Sequence, residues 1–414
     1  MAEAPLSGYR ALDLCDEKGL FCGRVLADFG VEVIQVEKPG GNPARSQGPF
    51  YHDRPDPEMG FYWLCYAANK KGITLNIETS DGQEIFRRLV EKVDFVIESF
   101  DPGYMASLGL DYASLARIKP DLVMTSITPF GQDGPYRDFK ASDLVCWSLG
   151  GYTWITGDAD RPPVHISFPQ AYLHAAAEAA VATLTAHYYR LVSGRGQYVD
   201  VSIQASVTRN LMNAPLFYEI SNVVLKRSGT YRVGLSLAAG QKTHWECKDG
   251  YIAFFILGGL PGAHTNRNLV EYMDSEGAAP QFMKEINWKE FDVATASQEL
   301  FDSFAAAMGK FFKSHTKQEL YAEAVKRSMT LYPMTTTREI VEDPQLEARG
   351  FWEEVPHPDM GNIKFPGVPV KFSETPCVHR QRAPRVGEHN REIYIKELGF
   401  SEDELVTLKG LEVI

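Results

Sequence analysis

The chain has 414 residues, 44% hydrophobic and 23% charged, with 42 Lys and Arg against 54 Asp and Glu. That length allows about two domains, and the composition is that of an ordinary globular protein. A net charge of −12 argues against nucleic acid and anionic membrane as partners, because both require a basic surface, although a local group of cations can still hold an anion.

The first elements alternate. Tyr9 to Leu14 reads as a strand, Gly19 to Phe29 as a helix with Leu20, Val25, Leu26 and Phe29 apolar, and Val31 to Val36 as a second strand stopped by Lys38-Pro39-Gly40-Gly41. The pattern recurs with a strand at Ile73 to Ile77, a helix at Asp81 to Lys92 and a strand at Val93 to Glu98. Leu122 to Ile127 adds another strand before Pro129, Gly131 and Gly134. Such β-α-β repetition predicts an α/β fold with a Rossmann-like, doubly wound sheet. Gly19 and Gly23 do not form a GxGxxG turn, which speaks against a dinucleotide-dependent dehydrogenase.

Residues 172 to 191 predict a long helix with Ala at 175, 176, 177, 179, 180, 182 and 186, so that a neighbour approaches closely. It carries His174, Glu178, His187 and Arg190, which fits a core or interface helix and not a membrane span. Gly194 and Gly196 end it, and Val199, Val201 and Ile203 alternate as a strand. The character changes near 225. We expect a large domain over 1–225, a smaller α+β domain over 226–335 with a hairpin at Cys247-Lys248-Asp249-Gly250-Tyr251, and a Pro-rich wrap over 336–414 that returns to the large domain and closes with a helix pair at 391–406. The six Cys are scattered without metal-ligand spacing, as in a reducing cytosol. The start Met-Ala-Glu-Ala-Pro has no basic stretch followed by an apolar run, so no signal peptide and a cytoplasmic location are expected.

Several blocks carry a family resemblance. They include Leu26-Ala27-Asp28-Phe29-Gly30-Val31-Glu32-Val33-Ile34, Asn69-Lys70-Lys71-Gly72-Ile73-Thr74-Leu75, Ser99-Phe100-Asp101-Pro102-Gly103 and Leu108-Gly109-Leu110-Asp111-Tyr112. Ser126-Ile127-Thr128-Pro129-Phe130-Gly131, Gly194-Arg195-Gly196-Gln197, Ala348-Arg349-Gly350-Phe351 and Pro384-Arg385-Val386-Gly387-Glu388-His389 continue the series. Together they resemble the class III CoA-transferases, the CaiB/BaiF and formyl-CoA transferase family, over nearly the whole chain. The resemblance implies a large domain built from both chain ends, a small domain between them, and two subunits interlocked like rings. It implies no permanently bound cofactor, with coenzyme A esters as substrates. It also implies a reaction in which an aspartate attacks an acyl-CoA thioester to give a mixed anhydride, and only a carboxylate can do this. By the same resemblance Lys38, Asn69, Lys70, Lys71, Ser99, Phe100, Lys140 and Asp143 are the candidate coenzyme-binding residues, with no metal.

The chain departs from that pattern. Gln170, Ala171 and Tyr172 stand where the family places its nucleophilic aspartate, and no Asp or Glu lies between Asp160 and Glu178. Asp101 and Ser107 stand where the family often carries Arg, and at about 4 Å in an effective dielectric near 20 each unit of charge is worth up to about 4 kcal/mol. These departures predict a chain without a catalytic residue of its own. By the family resemblance, its partner would be a homologous subunit carrying the aspartate, in an enzyme moving CoA from a succinyl-CoA-like donor to a benzylsuccinate-like acid. The alternatives are a homodimeric transferase with a relocated carboxylate, Glu178 beside His174, and a non-enzymatic CoA-ester binding protein. A racemase is disfavoured because Ser142, not His, precedes Asp143, leaving His165 and His174 as substitutes. The aromatic residues Phe50, Tyr51, Phe61, Tyr62, Trp63, Trp147, Tyr152 and Trp154 are candidates to line an acid pocket, against the simpler expectation that they fill a core.

Overall fold

The computed structural model describes residues 4–232, 239–377 and 381–414. Met1, Ala2 and Glu3, on which the leader expectation partly rests, lie outside them. Two compact units form, one from Met1–Tyr152, Ile166–Ile220 and Gln345–Ile414, the other from Thr153–His165 and Ser221–Pro344. The first unit therefore takes both chain ends. No helix among the described residues is long and apolar enough to cross a membrane.

The first unit is built on a six-stranded sheet. Its elements run β1 (Arg10–Asp13), α1 (Leu20–Asp28), β2 (Glu32–Glu37), α2 (Phe61–Tyr66), β3 (Lys71–Thr74), α3 (Ser80–Val90) and β4 (Phe95–Glu98). There follow α4 (Tyr104–Ser107), α5 (Tyr112–Ile118), β5 (Val123–Thr128), α6 (Asp143–Leu149), α7 (Tyr152–Ile155), which passes into the second unit at Thr153, α8 (Ala171–Ser193), β6 (Tyr198–Ser202), α9 (Ile203–Asn210) and α10 (Asn213–Ser221). The strand order is β3-β2-β1-β4-β5-β6, and every adjacent pair is parallel. This is the doubly wound α/β order that the β-α-β pattern predicts. Strands covered on both faces read as continuous apolar runs, and β4 and β5 are buried at every position. Leu12, Ile34 and Val96 point to a layer with Phe86, Leu89, Leu115 and Tyr394, while Ala11, Val33, Phe95 and Ile97 point to α1 and α8.

The alanines of α8 do what their number suggests. Ala175, Ala176, Ala179 and Ala180 are buried, and the helix comes close enough for Thr183 Oγ1 to meet Thr125 Oγ1 of β5 at 2.7 Å. Two boundaries differ from expectation. The strand placed over Ile73 to Ile77 is paired only through Thr74, because Asn76 turns the chain and its Oδ1 accepts from Glu78 N before Thr79 caps α3. Ile203 is the first residue of α9 and not the last of a strand, because Ser202 Oγ accepts from Ala205 N and starts a helix there.

The C-terminal segment finishes the sheet. β3 is an edge strand, and its open side is met by His389, Asn390 and Tyr394. His389 N donates to Gly72 O, Gly72 N to His389 Nδ1, Thr74 N to Asn390 Oδ1 and Tyr394 Oη to Thr74 O, at 2.6 to 3.1 Å. The Pro-rich tail is ordered as a hairpin, Trp352–His357 against Gly361–Pro366, then a π-helical turn Arg391–Glu397 and the helix Glu402–Gly410. In the second unit His244–Cys247 and Gly250–Ala253 form the expected hairpin, joined by Tyr332–Pro333, around a core of Trp245, Phe254, Phe304 and Phe312.

At the centre of the first unit sits a buried ion pair. Lys70 and Asp13 have fully buried side chains. Lys70 Nζ donates to Asp13 Oδ2 at 2.7 Å, Leu20 O at 2.9 Å and Gln35 Oε1 at 3.0 Å, which uses all three of its protons. Asp13 Oδ1 accepts from Cys15 N at 2.9 Å. One residue thereby fastens β1, β2 and the start of α1. The fit leaves no room at Gly23 of α1, where a Cβ would lie 2.0 Å from Asp13 Oδ2.

Three outcomes follow. Lys70→Met leaves Asp13 buried and uncompensated and lowers stability by about 3–5 kcal/mol in denaturant titration, and adding Asp13→Asn recovers part of the loss. Gly23→Ala drives its methyl into the Asp13 carboxylate and lowers the melting temperature although alanine is the better helix former. The third concerns Glu98, the last residue of β4. Burial pushes its carboxyl up to about 7, against a hydrogen bond from Phe100 N at 2.7 Å. A carboxyl that holds its proton more tightly when folded weakens the fold as pH rises from the ordinary carboxyl value to about 7. Glu98→Gln removes that loss, so its melting temperature relative to the parent rises between pH 4 and 8, by at most about 3 kcal/mol of stability.

Candidate active site

The strand order reverses between β1 and β4, and in such sheets the crevice beyond the carboxyl ends of those strands is where ligands sit. Here that crevice encloses about 320 Å³. Leu14 and Asp16 enter it after β1, Lys38 and Asn42 after β2, Leu75 and Ile77 after β3, and Ser99 and Phe100 after β4. Polar contacts fix its shape. Ser99 Oγ donates to Asp16 Oδ1 at 2.8 Å and accepts from Asp16 N at 3.0 Å, locking the turns after β1 and β4 together. Asn42 Nδ2 donates to Cys15 O at 2.8 Å, and Asn42 N to Glu37 Oε2 at 2.8 Å. Glu37 is held by Arg45 at 2.6 Å, whose guanidinium lies 3.8 Å over Trp63. The walls are otherwise apolar.

The structure sorts the candidate coenzyme-binding residues. Lys38, Ser99 and Phe100 meet in this crevice. Lys140 lies exposed and is ion-paired with Asp101, next to Phe100. Asn69, Lys70 and Lys71 do not join them. Asn69 has φ 67° and donates from its amide to Asp28 Oδ1 at 3.0 Å and Ala27 O at 3.3 Å, which fastens the chain to α1. Lys70 is the buried cation described above, so it has no proton left for a phosphate. Lys71 bridges Glu32 at 2.7 Å and Glu392 at 3.0 Å. The block Asn69-Lys70-Lys71 reads as a basic loop in sequence, but its position at the start of β3 turns each side chain to a structural contact.

Asp143 has a different role from the others. It opens α6, and its carboxylate reaches the first turn of α8, where Oδ2 accepts from Gln170 N at 3.2 Å and Oδ1 from Tyr172 N at 3.0 Å. An anion there satisfies free N–H groups and the positive end of the helix. Gln170 provides no side-chain cap, and the first turn of α8 has no acidic residue. Ala171 and Tyr172 are buried. Burial is the main cause that pushes the Tyr172 phenol up, with Glu17, Cys146, Asp143 and Asp16 adding to it. Glu17 and Asp16 escaped the sequence reading. Glu17 is half-buried, its carbonyl accepts from Tyr62 Oη at 2.9 Å, and burial and Asp16 push its carboxyl up. The available signal was two adjacent acids at the end of the first strand of a β-α-β unit.

Among the described residues no hydrogen bond joins Glu178 to His174. Glu178 is ion-paired with Arg209 at 2.9 Å. Burial, against the pull of Asp143 and Glu178, lowers the His174 imidazole below its ordinary value; the ring lies edge-on to Trp147 and has Asn210 Nδ2 at 3.4 Å from Nδ1. His165 is exposed and belongs to the second unit. Of the aromatic candidates, Tyr62, Trp63 and Trp147 are buried core residues, Trp147 stacking on Tyr152 at 4.3 Å. Trp154 is exposed and belongs to the second unit, where Arg227 lies 5.4 Å over it. Among the described residues no group of His, Cys, Asp and Glu is placed to hold a metal ion.

The fold and the sequence as a whole are similar to known proteins. The chain is 34% identical to the subunit BbsE of succinyl-CoA:(R)-benzylsuccinate CoA-transferase from Thauera aromatica, over 97% of this chain and 96% of that one. It is 32% identical to the succinyl-CoA–D-citramalate CoA-transferase of Chloroflexus aurantiacus, over 99% and 98% of the two chains. A CAIB/BAIF family protein from Brucella suis superposes with a TM-score of 0.79 at 27% identity, over 95% of this chain and 99% of that one. The profile of CoA-transferase family III matches residues 6–390. This chain belongs to CoA-transferase family III.

Proposed function

We propose that the chain is the subunit without a nucleophile in a heteromeric CoA-transferase. That enzyme moves CoA from a succinyl-CoA-like donor to a benzylsuccinate-like acid, and a homologous partner subunit supplies the aspartate. The observation that carries this reading is the start of α8. Gln170, Ala171 and Tyr172 hold no carboxylate, and Asp143, whose carboxylate reaches this turn, is engaged by two backbone N–H groups. An amide, a methyl and a phenol cannot form the mixed anhydride. Likeness to a protein named as a subunit of a benzylsuccinate CoA-transferase supports the same reading.

The rival with a relocated carboxylate loses support from Glu178, whose charge is matched by Arg209. In the proposed enzyme this chain binds and positions, and the partner does the covalent chemistry. Lys38, Ser99, Phe100 and Lys140 are the residues we assign to coenzyme contact, and the site lies in the cytoplasm.

The test is direct. The chain is expressed alone and together with an aspartate-bearing homologue encoded beside it, and CoA transfer from succinyl-CoA to (R)-benzylsuccinate is followed. Activity is expected only from the mixture, and native mass spectrometry is expected to show a hetero-oligomer. A covalent acyl or CoA adduct on the isolated chain, or turnover by it, would sink the proposal. Glu178→Gln in the mixture is expected to leave turnover within about twofold, since an ion-paired residue remote from the reacting carboxylate contributes no more than a surface pair.

A further inference from the structure

Lys38, the cation that lines the crevice, is already held by one of the chain's own carboxylates. Lys38 Nζ donates to Glu78 Oε1 at 2.7 Å, and Tyr104 Oη donates to the same oxygen at 2.8 Å. These three residues come from the segments that follow β2, β3 and β4. The same segments line the cavity with Lys38, Ile77 and Phe100, and the Tyr104 ring packs on Phe100 at 4.6 Å. Lys140 repeats the arrangement with Asp101. The Lys38 and Glu78 side chains are about half exposed, 51% and 49%. A pair this solvated contributes little to the fold, so its main consequence is for an incoming anion.

We propose that Glu78 is a built-in counter-ligand: it occupies Lys38 and makes the crevice discriminate against ligands that carry phosphate. A phosphate-bearing molecule must displace the Glu78 carboxylate and then lie beside its negative charge. An uncharged molecule meets neither obstacle. Glu78 is thus a specificity-determining residue, and Tyr104 positions it. The hydrogen bond from Lys38, then that from Tyr104, hold the Glu78 carboxyl below its ordinary range, so it remains charged at neutral pH. This inference rests on the proposed reading of the crevice as the coenzyme A ester site.

Isothermal titration with three probes tests it: coenzyme A, inorganic pyrophosphate and pantetheine, which lacks the phosphates. Removing one like charge from beside a bound anion at low ionic strength is expected to raise affinity for coenzyme A and pyrophosphate about tenfold in Glu78→Gln, and the gain shrinks as salt is added. Pantetheine binding stays unchanged. Tyr104→Phe, which removes the tie but no charge, gives a smaller gain of about twofold. In a Lys38→Met background Glu78→Gln gives no comparable gain. The proposal is overturned if Glu78→Gln binds both phosphate probes within twofold of the parent, if no probe binds any variant, or if the gain survives without Lys38. A pyrophosphate gain with no coenzyme A binding would keep the counter-ligand and remove the coenzyme reading. Coenzyme A binding indifferent to position 78 would do the reverse.

Discussion

The fold depends on a charge pair that water does not reach. Lys70 and Asp13 lie where β1, β2 and the start of α1 converge, and each satisfies groups on the others. Desolvating two ions is expensive, and the pair is tolerated because every proton of the ammonium has an acceptor. It also dictates its surroundings. Gly23 has no Cβ because the carboxylate occupies that space, and the thiols of Cys15 and Cys22 are pushed up, mainly by burial and then by Asp13. The turn that leaves β1 is therefore rigid at its base, and from it Asp16 reaches Ser99 to define the crevice.

A crevice built this way joins turns from four strands but gathers few free charges. Arg45 is spent on Glu37, Lys38 on Glu78 and Lys140 on Asp101. The start of α8 follows the same principle, because its exposed N–H groups receive a carboxylate from a neighbouring helix. Neutralisation from within leaves a scaffold whose charges are largely satisfied by the chain itself, as the proposed role requires.

Much of this was legible in the sequence. The alternation of β2 toward Glu37, the run of alanines in α8 and the Gly194-Arg195-Gly196 stop each determined an element through backbone geometry alone. The lysines were not legible in the same way. Lys70 and Lys71 are adjacent, yet one is buried against Asp13 and the other bridges Glu32 and Glu392. Which of two neighbouring residues faces the interior depends on the strand they begin, and the partners lie 57 and 321 residues away. Glu17 and Glu78 were missed for a related reason: a carboxylate's importance comes from what the tertiary fold places opposite it. Segment 153–165 shows the same limit, since nothing local marks it as part of the second unit.

The way β3 is finished has a bearing on biogenesis. Its outer edge is satisfied by His389, Asn390 and Tyr394, which follow the strand they cover by 316 to 320 residues. Until they emerge, a nascent polypeptide carries a strand whose amide and carbonyl groups face outward, a template for mispairing with other chains. A chain lacking residues 389–414 keeps the six strands but loses both the cover of β3 and the part of the core that Ile393, Tyr394, Leu398 and Leu405 complete. Loss of that segment would therefore yield sticky, chaperone-dependent material instead of a slightly smaller folded protein.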